Sequence, residues 1–494
     1  MDTVWVLGDQ LNRAIGAMAA ADPDRTRVLM VESDAKIASK PFHRQRLHLV
    51  IASMRAFAAE LRAEGFEVDY VRAASLAAGL DEHRHRHRPA VVRATEPASW
   101  AGRELLAGLG VELIRSNQFL CHYEDFARWA GDRRRLRMED FYRWRRTETG
   151  YLMDGDRPAG GRWNFDSDNR RPSPNEPLAW PRPSLTRMGP DDAEVVAGLP
   201  PGAVGAAPTG LWATTRRGAL ARLRHAVDEV LPRFGPHQDV MLDDDWHLAH
   251  TLISPYLNIG LLLPGEVCDA VEDAYRAGRV PIASAEGFLR QVLGWREYVW
   301  GVYWLWMPGY RDSNHFGARR PVPPALLGAG TRMRCVANAV EGVEARAYAH
   351  HIQRLMILGN LALLAGIDPR AMVEWMWSRF VDGAEWVMLP NVIGMALHAD
   401  GGRMATKPYA AGGAYISRMS DHCRGCAYDP KKRTGDRACP YTTLYWDFLA
   451  RHRDRLAGNH RMVQAVRNLD RLADLPEVRA RAAEVLERLD AGTL

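Results

Sequence analysis

Three of the chain's six cysteines crowd into one stretch, C-R-G-C-A-Y-D-P-K-K-R-T-G-D-R-A-C-P, with two residues between Cys423 and Cys426 and twelve between Cys426 and Cys439. A Cys-x-x-Cys pair on a turn offers two thiolates to one ion or cluster, and the loop is long enough to return a third. The fourth ligand must come from far away, and Cys335 is the best candidate. Any fold of this chain therefore has to tie residue 335 to the 423–439 loop. Zinc closes such a set as a structural site. Iron–sulfur uses it too, and a proline directly after the last ligand, here Pro440, recurs in iron–sulfur sequences. Spacing leaves both open. Cys121 and Cys268 stand alone in apolar-leaning segments and read as buried thiols. A disulfide framework does not suit a long, core-rich chain without a secretory signal.

At 494 residues the chain is long enough for several domains. Apolar segments at 4–8, 28–32, 68–71, 90–94 and 111–114 alternate with helical stretches, including one at 40–65 with apolar residues at Leu47, Val50, Ile51, Met54, Phe57 and Leu61. The expectation is a doubly wound parallel α/β domain over 1–130. Ligands of such sheets sit beyond the strands' carboxyl ends, here Gly8-Asp9-Gln10 and Glu32-Ser33-Asp34. No G-x-G-x-x-G follows, which argues against a standard dinucleotide site there. The tract His83–Arg88, H-R-H-R-H-R, has a metal-binding look, but an exposed helix end is the preferred reading.

Residues 131–210 are rich in Pro, Gly, Asp and Arg and read as a long connector with few helical signals, wrapped on a surface. From 211 to 494 the pattern is all-α, with helices expected over 215–232, 264–277, 284–306, 344–365, 369–380 and 462–489. No apolar run reaches eighteen residues, so no membrane helix is expected, and a start without a basic segment suggests a cytoplasmic protein. The net charge of +5 conceals Arg133–Arg135, Arg143–Arg146 and Lys431–Arg433, patches suited to a phosphate backbone.

Three constellations carry chemistry. In H-L-A-H-T-L-I-S-P-Y-L-N, His250, Thr251, Ser254 and Asn258 share one side of an apolar stretch, which could hold a phosphate. In E-G-F-L-R-Q-V-L-G-W-R-E-Y, Glu286, Arg290, Gln291, Arg296 and Glu297 interrupt a buried helix, and buried charges need partners. In A-Y-A-H-H-I-Q-R-L-M, His351 and Arg354 stand three apart on a helix apolar nearly all round, with Asp382 the candidate carboxylate.

Taken together, L-G-D-Q-L, G-G-R-W-N-F-D-S-D-N-R, S-P-Y-L-N-I-G, G-W-R-E-Y, H-H-I-Q-R-L-M, E-W-V-M-L-P-N-V-I-G-M and C-x-x-C-x₁₂-C-P resemble the iron–sulfur bacterial cryptochrome/photolyase family, whose members include prokaryotic (6-4) photolyases. The resemblance spans essentially the whole chain. It implies FAD in the helical domain, a 4Fe–4S cluster on Cys335, Cys423, Cys426 and Cys439, and a 6,7-dimethyl-8-ribityllumazine antenna in the α/β domain, lined by Gly8, Asp9, Gln10 and Glu32. His250, Thr251, Ser254, Gln291 and Arg296 would contact FAD, with Arg354 and Asp382 flanking its ring. His350 and His351 would face the lesion, with Tyr409 nearby. Trp375 would relay electrons in photoreduction, whereas Trp377 reads as core. Asp239 would help hold a divalent cation, Mg2+, near the DNA.

The implied function is light-dependent reversal of (6-4) photoproducts in UV-damaged DNA by a monomer. Splitting that bond needs proton transfer as well as an electron, and a histidine beside the lesion suits the task. A cryptochrome-type photoreceptor without repair and a flavin-free DNA-binding module are the alternatives. Met388 departs from relatives that carry a carboxylate or amide close to flavin N5, because a thioether is only a weak acceptor.

Overall fold

The computed structural model describes residues 1–169 and 180–494. The connector motif beyond Asn169 thus lies outside the described residues. Five short apolar segments form strands β1 (Asp2–Val6), β2 (Thr26–Ser33), β3 (Glu67–Ala73), β4 (Val92–Thr95) and β5 (Glu112–Ile114). All pair in parallel, in the order β3-β2-β1-β4-β5. Both faces are covered, which explains why β2 reads V-L-M-V rather than alternating. Val4, Val28 and Met30 meet Leu49, Met54 and Phe57 of the helix Arg44–Ala63, while Trp5, Leu29 and Val31 meet Leu80 and Leu106 of the helices Leu76–His87 and Trp100–Gly108. The strand order reverses at β1, so Gly8-Asp9-Gln10 stands at the topological switch point.

The helix Arg44–Ala63 also joins the two halves. The core on its face continues into Leu223, Tyr256, Leu257, Val267 and Leu293 of the helical region. Two of the helices expected in that region are each divided. The single helix expected over 344–365 is two. The helix Arg334–Arg346 stops at Ala347, whose φ of 55° is left-handed, and helical geometry resumes near residue 351. His350 and His351 therefore sit at the mouth of an element, not inside a continuous one. The helix expected over 462–489 splits into Val463–Leu469 and Leu475–Asp490. The connector is less irregular than its composition suggests. It contains a hairpin, Met153–Asp154 with Arg157–Pro158, and the helices Met138–Thr149 and Pro190–Ala197, the first burying Phe141 and Tyr142 completely.

Four π-helical turns interrupt the helical region, at Ala226–Val230, Arg290–Arg296, Gln353–Gly359 and Asn391–Ala396. Each widens a helix by one residue, an irregularity that tends to mark functional sites. The last three carry Gln291 with Arg296, Arg354, and the segment just past Met388.

Candidate functional site

A directed chain of hydrogen bonds runs through the histidines. His250 Nδ1 lies 3.0 Å from the His247 carbonyl oxygen, and its Nε2 lies 3.2 Å from His351 Nδ1. His351 Nε2 lies 3.2 Å from Asp239 Oδ1. Polarity can be assigned from the ends. A carbonyl only accepts, so His250 Nδ1 carries the hydrogen. Burial pushes the His250 pKa down to about 3, so its Nε2 is a bare acceptor. His351 Nδ1 lies opposite that acceptor. The Asp239 carboxylate only accepts, so His351 Nε2 is the ring nitrogen placed to donate to it. His350 stacks on His250 at 4.4 Å, 1% exposed, with neither ring nitrogen partnered, and burial holds it neutral. The backbone here is strained. Leu248, Leu252 and Ala347 all have positive φ (41°, 58° and 55°), each costing about 1–3 kcal/mol in a residue with a side chain. Thr251 lies half-buried between the first two.

Beside the histidines, Arg354 and Asp382 form a buried pair. Arg354 Nη1 donates to both carboxylate oxygens, at 2.9 and 3.2 Å, while its Nε donates to the Ala349 carbonyl at 2.6 Å. The guanidinium lies 4.2 Å over the Phe380 ring. Ser254 Oγ donates to Asp382 Oδ2 (2.7 Å) and Asn258 Nδ2 to the Asp382 backbone oxygen (2.8 Å). Ser254 is thus bonded to a carboxylate and His250 to the histidine chain. Met388 is 3% exposed in the helix Glu385–Pro390. Arg296 sits over Phe119 (4.1 Å) and Trp386 (5.3 Å), pairs with the fully buried Glu297 at 2.7 Å, and keeps an unpartnered Nε. Gln291 Nε2 donates to the Gly287 carbonyl one turn back.

At the switch point, Gln10 Nε2 donates to the Thr95 and Glu96 carbonyls at the end of β4, leaving its buried Oε1 without a partner. Burial raises the Asp9 pKa, opposed by Lys36 and Arg46. Arg46 in turn feels both Asp9 and Asp382, which couples the end of β1 to the Asp382 carboxylate. Glu32 stands apart from this group, engaged by Arg55 and the Tyr70 hydroxyl.

All four expected cysteines line one small cavity, together with Met333, Gly413, Ile416, Tyr428, Pro440 and Tyr441. A Cβ on Gly413 would lie 2.9 Å from the Cys439 sulfur, so glycine is what keeps the cradle open. Burial, then the neighbouring sulfurs, raise the Cys335 thiol well above its ordinary pKa and push Cys423 up to about 11. Four sulfurs lining one cavity are the donor set that a cation or cluster takes. Cys121 and Cys268 are buried thiols, as expected.

Other expectations changed. Arg145 and Arg146 are buried and donate to the Leu120, Tyr151 and Trp163 carbonyls, so they brace the fold instead of facing a phosphate; Arg134 and Arg135 are exposed. Trp375 is buried and donates to the Leu326 carbonyl. Trp377 is half-buried under Lys40 at 4.3 Å and packs at the edge of the core. Tyr409 lies half-buried in a loop pinned by Asn360, which bonds both backbone groups of Ala411. The tract His83–Arg88 does end a helix, but His83 is wholly buried. Sequence reasoning also missed an aromatic ladder from Trp386 to Trp300 (5.7 Å), Trp304 (5.5 Å) and half-exposed Trp100 (5.8 Å). Its Trp300–Trp304 step, four apart on one helix, was legible. No described helix is long and apolar enough to cross a membrane.

A family model of deoxyribodipyrimidine photo-lyase-related proteins matches residues 4–199. A (6-4) photolyase of Agrobacterium fabrum is 43% identical over 99% of this chain and 99% of its own. Among solved structures, a class III photolyase of Agrobacterium tumefaciens (15% identical, TM-score 0.59, covering 99% of this chain and 98% of that one) shares the fold. So does a Synechocystis cryptochrome (15% identical, TM-score 0.56, covering 95% and 99%). With that full-length identity, the chain belongs to the bacterial cryptochrome/photolyase family, among the (6-4) photolyases.

Proposed function

We propose that this chain is a DNA lyase that reverses (6-4) pyrimidine–pyrimidone photoproducts under blue light. The observation that carries the reading is the position of His351, within hydrogen-bond distance of both His250 and Asp239 at the mouth of the site, where it can pass a proton. Returning the hydroxyl to the 5′ base requires a proton, and a cyclobutane dimer would need none. His351 is half-exposed, so it can meet a base flipped out of the duplex, which costs a few kcal/mol and least for a damaged base. His250 and His350, kept neutral by burial, orient it. In this reading Asp239 serves His351 rather than Mg2+, because its carboxylate is already committed there.

The family implies FAD, and the residues fit it. Arg296, packed against Phe119 and Trp386, and His350, buried next to Arg354, both keep unpartnered nitrogens, the donors a flavin's polar ring edge and pyrophosphate call for. Reduced FAD, when bound, supplies the electron that light delivers to the lesion. The chain's own part is to hold the site: Arg354, Asp382, Arg296, Gln291, Thr251 and Ser254 position, Met388 and Trp386 exclude water, and Trp375 serves as relay.

Residues 1–130 carry the antenna in this reading, 131–210 connect, and 211–494 hold the flavin in a monomer. The orphaned Gln10 oxygen at the switch point supports a lumazine bound by Gly8, Asp9 and Gln10, with Glu32 at the margin. At the cysteines a 4Fe–4S cluster is favoured over zinc. Among the described residues the only metal-ligand atoms grouped within 4.8 Å of one another belong to Asp69, His83 and His87, so the four sulfurs stand wider apart. Zinc, at about 2.3 Å from sulfur, would draw them to about 3.8 Å.

The test uses an oligonucleotide carrying one (6-4) photoproduct, pre-reduced enzyme and blue light, with products separated against a dark control. Intact oligonucleotide should appear only in the light and be lost in His351→Ala. Failure of the reduced, flavin-loaded wild type to repair would overturn the reading.

A further inference from the structure

We propose that Asp69, His83 and His87 form a second metal site, for a divalent ion of zinc type, stapling the helix Leu76–His87 to strand β3. His83 and His87 lie one turn apart and so share a helix face. That face meets Asp69. His83 Nδ1 is 2.7 Å and His87 Nε2 is 3.2 Å from Asp69 Oδ2, and the three ligand atoms lie within 4.8 Å of one another. A tetrahedral ion with ligands at about 2.0–2.1 Å spaces them about 3.3 Å apart, so binding needs only a small spreading of the group.

The outer shell suits a metal. His83 Nε2 lies 2.8 Å from Thr3 Oγ1 on β1. With that nitrogen donating to the hydroxyl, Nδ1 presents its lone pair to the site, the arrangement that orients histidine ligands. His83 is completely buried, whereas Asp69 and His87 are 10% and 18% exposed at their side chains. An ion would enter past His87 and keep one position for water, as three-ligand sites do. Arg86 competes: its Nη1 lies 2.6 Å from Asp69 Oδ1, leaving Oδ2 free to ligate through one oxygen. Glu67, nearby on β3, is paired with Arg27. The alternation H-R-H-R-H thereby separates into two inward ligands, the competing Arg86, and His85, which is exposed.

The experiment measures zinc. Holoprotein is stripped with EDTA, dialysed against graded zinc chloride, and its bound zinc counted by elemental mass spectrometry. Wild type should hold one zinc more per chain than His87→Gln, whose side chain lies at the surface and whose loss spares the core. His85→Gln should match wild type. Thr3→Val should bind about 10–100-fold more weakly, as expected for a lost outer-shell partner. Arg86→Ala should bind more tightly, because it removes the competing cation. Zinc held by the cysteines would appear equally in all variants. Equal zinc in wild type and His87→Gln, or no tightening in Arg86→Ala, would overturn the site and leave a hydrogen-bonded Asp–His–His brace.

Discussion

Replacing Asp382 by alanine should destabilise the protein by about 3–5 kcal/mol, the cost of leaving one member of a buried ion pair alone. The side chains of Arg354 and Asp382 are 18% and 9% exposed. Without the carboxylate, Arg354 retains only the Ala349 carbonyl, and its seat over Phe380 keeps it from swinging into water. Ser254 Oγ loses its acceptor too, whereas Asn258 bonds the Asp382 backbone and is untouched. Asp382→Asn keeps an acceptor but not the charge, so it should cost less, about 1.5–3 kcal/mol, the worth of a hydrogen bond to a charged group. Arg354→Met combined with Asp382→Ala removes both charges and should be milder than the sum of the single changes by about 2 kcal/mol or more. Urea unfolding followed by tryptophan fluorescence, at matched flavin content, reads all four corners. Additive single changes, or an alanine variant within about 0.5 kcal/mol of wild type, would show a solvated pair of the surface kind and refute the reasoning.

Stability should fall as pH drops from about 6.5 toward 4. Burial lowers His43 and His398 to about 4 in the folded protein. The unfolded chain therefore takes up protons that the folded one refuses, and each residue removes about 1.4 kcal/mol per pH unit across that window. Urea midpoints measured over this range should flatten in His398→Gln. Met388→Leu, a swap of nearly equal volume, should cost less than about 1.5 kcal/mol and leave repair in place. A loss of repair in chromatographic assays would give the thioether a chemical role. Cys335→Ala, or iron removal by chelation under reduction, should yield insoluble or unfolded protein by circular dichroism; soluble, active, iron-free protein would sink the structural view of the cysteine site.

What could be read from sequence divides along physical lines. β-branched runs bounded by turns gave all five strands to within two residues, because a parallel sheet buried on both faces leaves little choice of residue. The four cysteines came together as expected, since thiols spaced that way have few other uses. Ala347 was illegible: alanine is the best helix former, and only tertiary packing turns it left-handed to end the helix Arg334–Arg346. Arg145 and Arg146 were misread because arginine is seldom buried, and here backbone carbonyls satisfy it. His83 was misread because alternation with arginine hides a spacing of four. The π-turns carry no local signal.

The cysteine site and the histidine chain lie in different parts of the sequence but share one brace. The helix Arg334–Arg346, which carries Cys335, ends at Ala347 and so aims His350 and His351. The segment after Asp239 is tied to the segment before Cys423: the Met241 amide donates to the Met419 carbonyl, the Asp243 amide to the Asp421 carboxylate, and His422 Nδ1 lies 3.1 Å from Asp243 Oδ1. Arg334 Nε donates to the same Asp243 at 2.7 Å. Fixing the four sulfurs therefore fixes both ends of the Asp239–His351 contact, one through residues 334–347 and the other through 241–243. Three left-handed residues and two neutral buried histidines make this neighbourhood costly to hold, and such strain persists only where its surroundings over-determine it. A metal held by the four cysteines, one helix away in space, would supply that constraint without touching the substrate. The geometry of the Asp239–His351 contact is thus what the cysteine site is placed to hold.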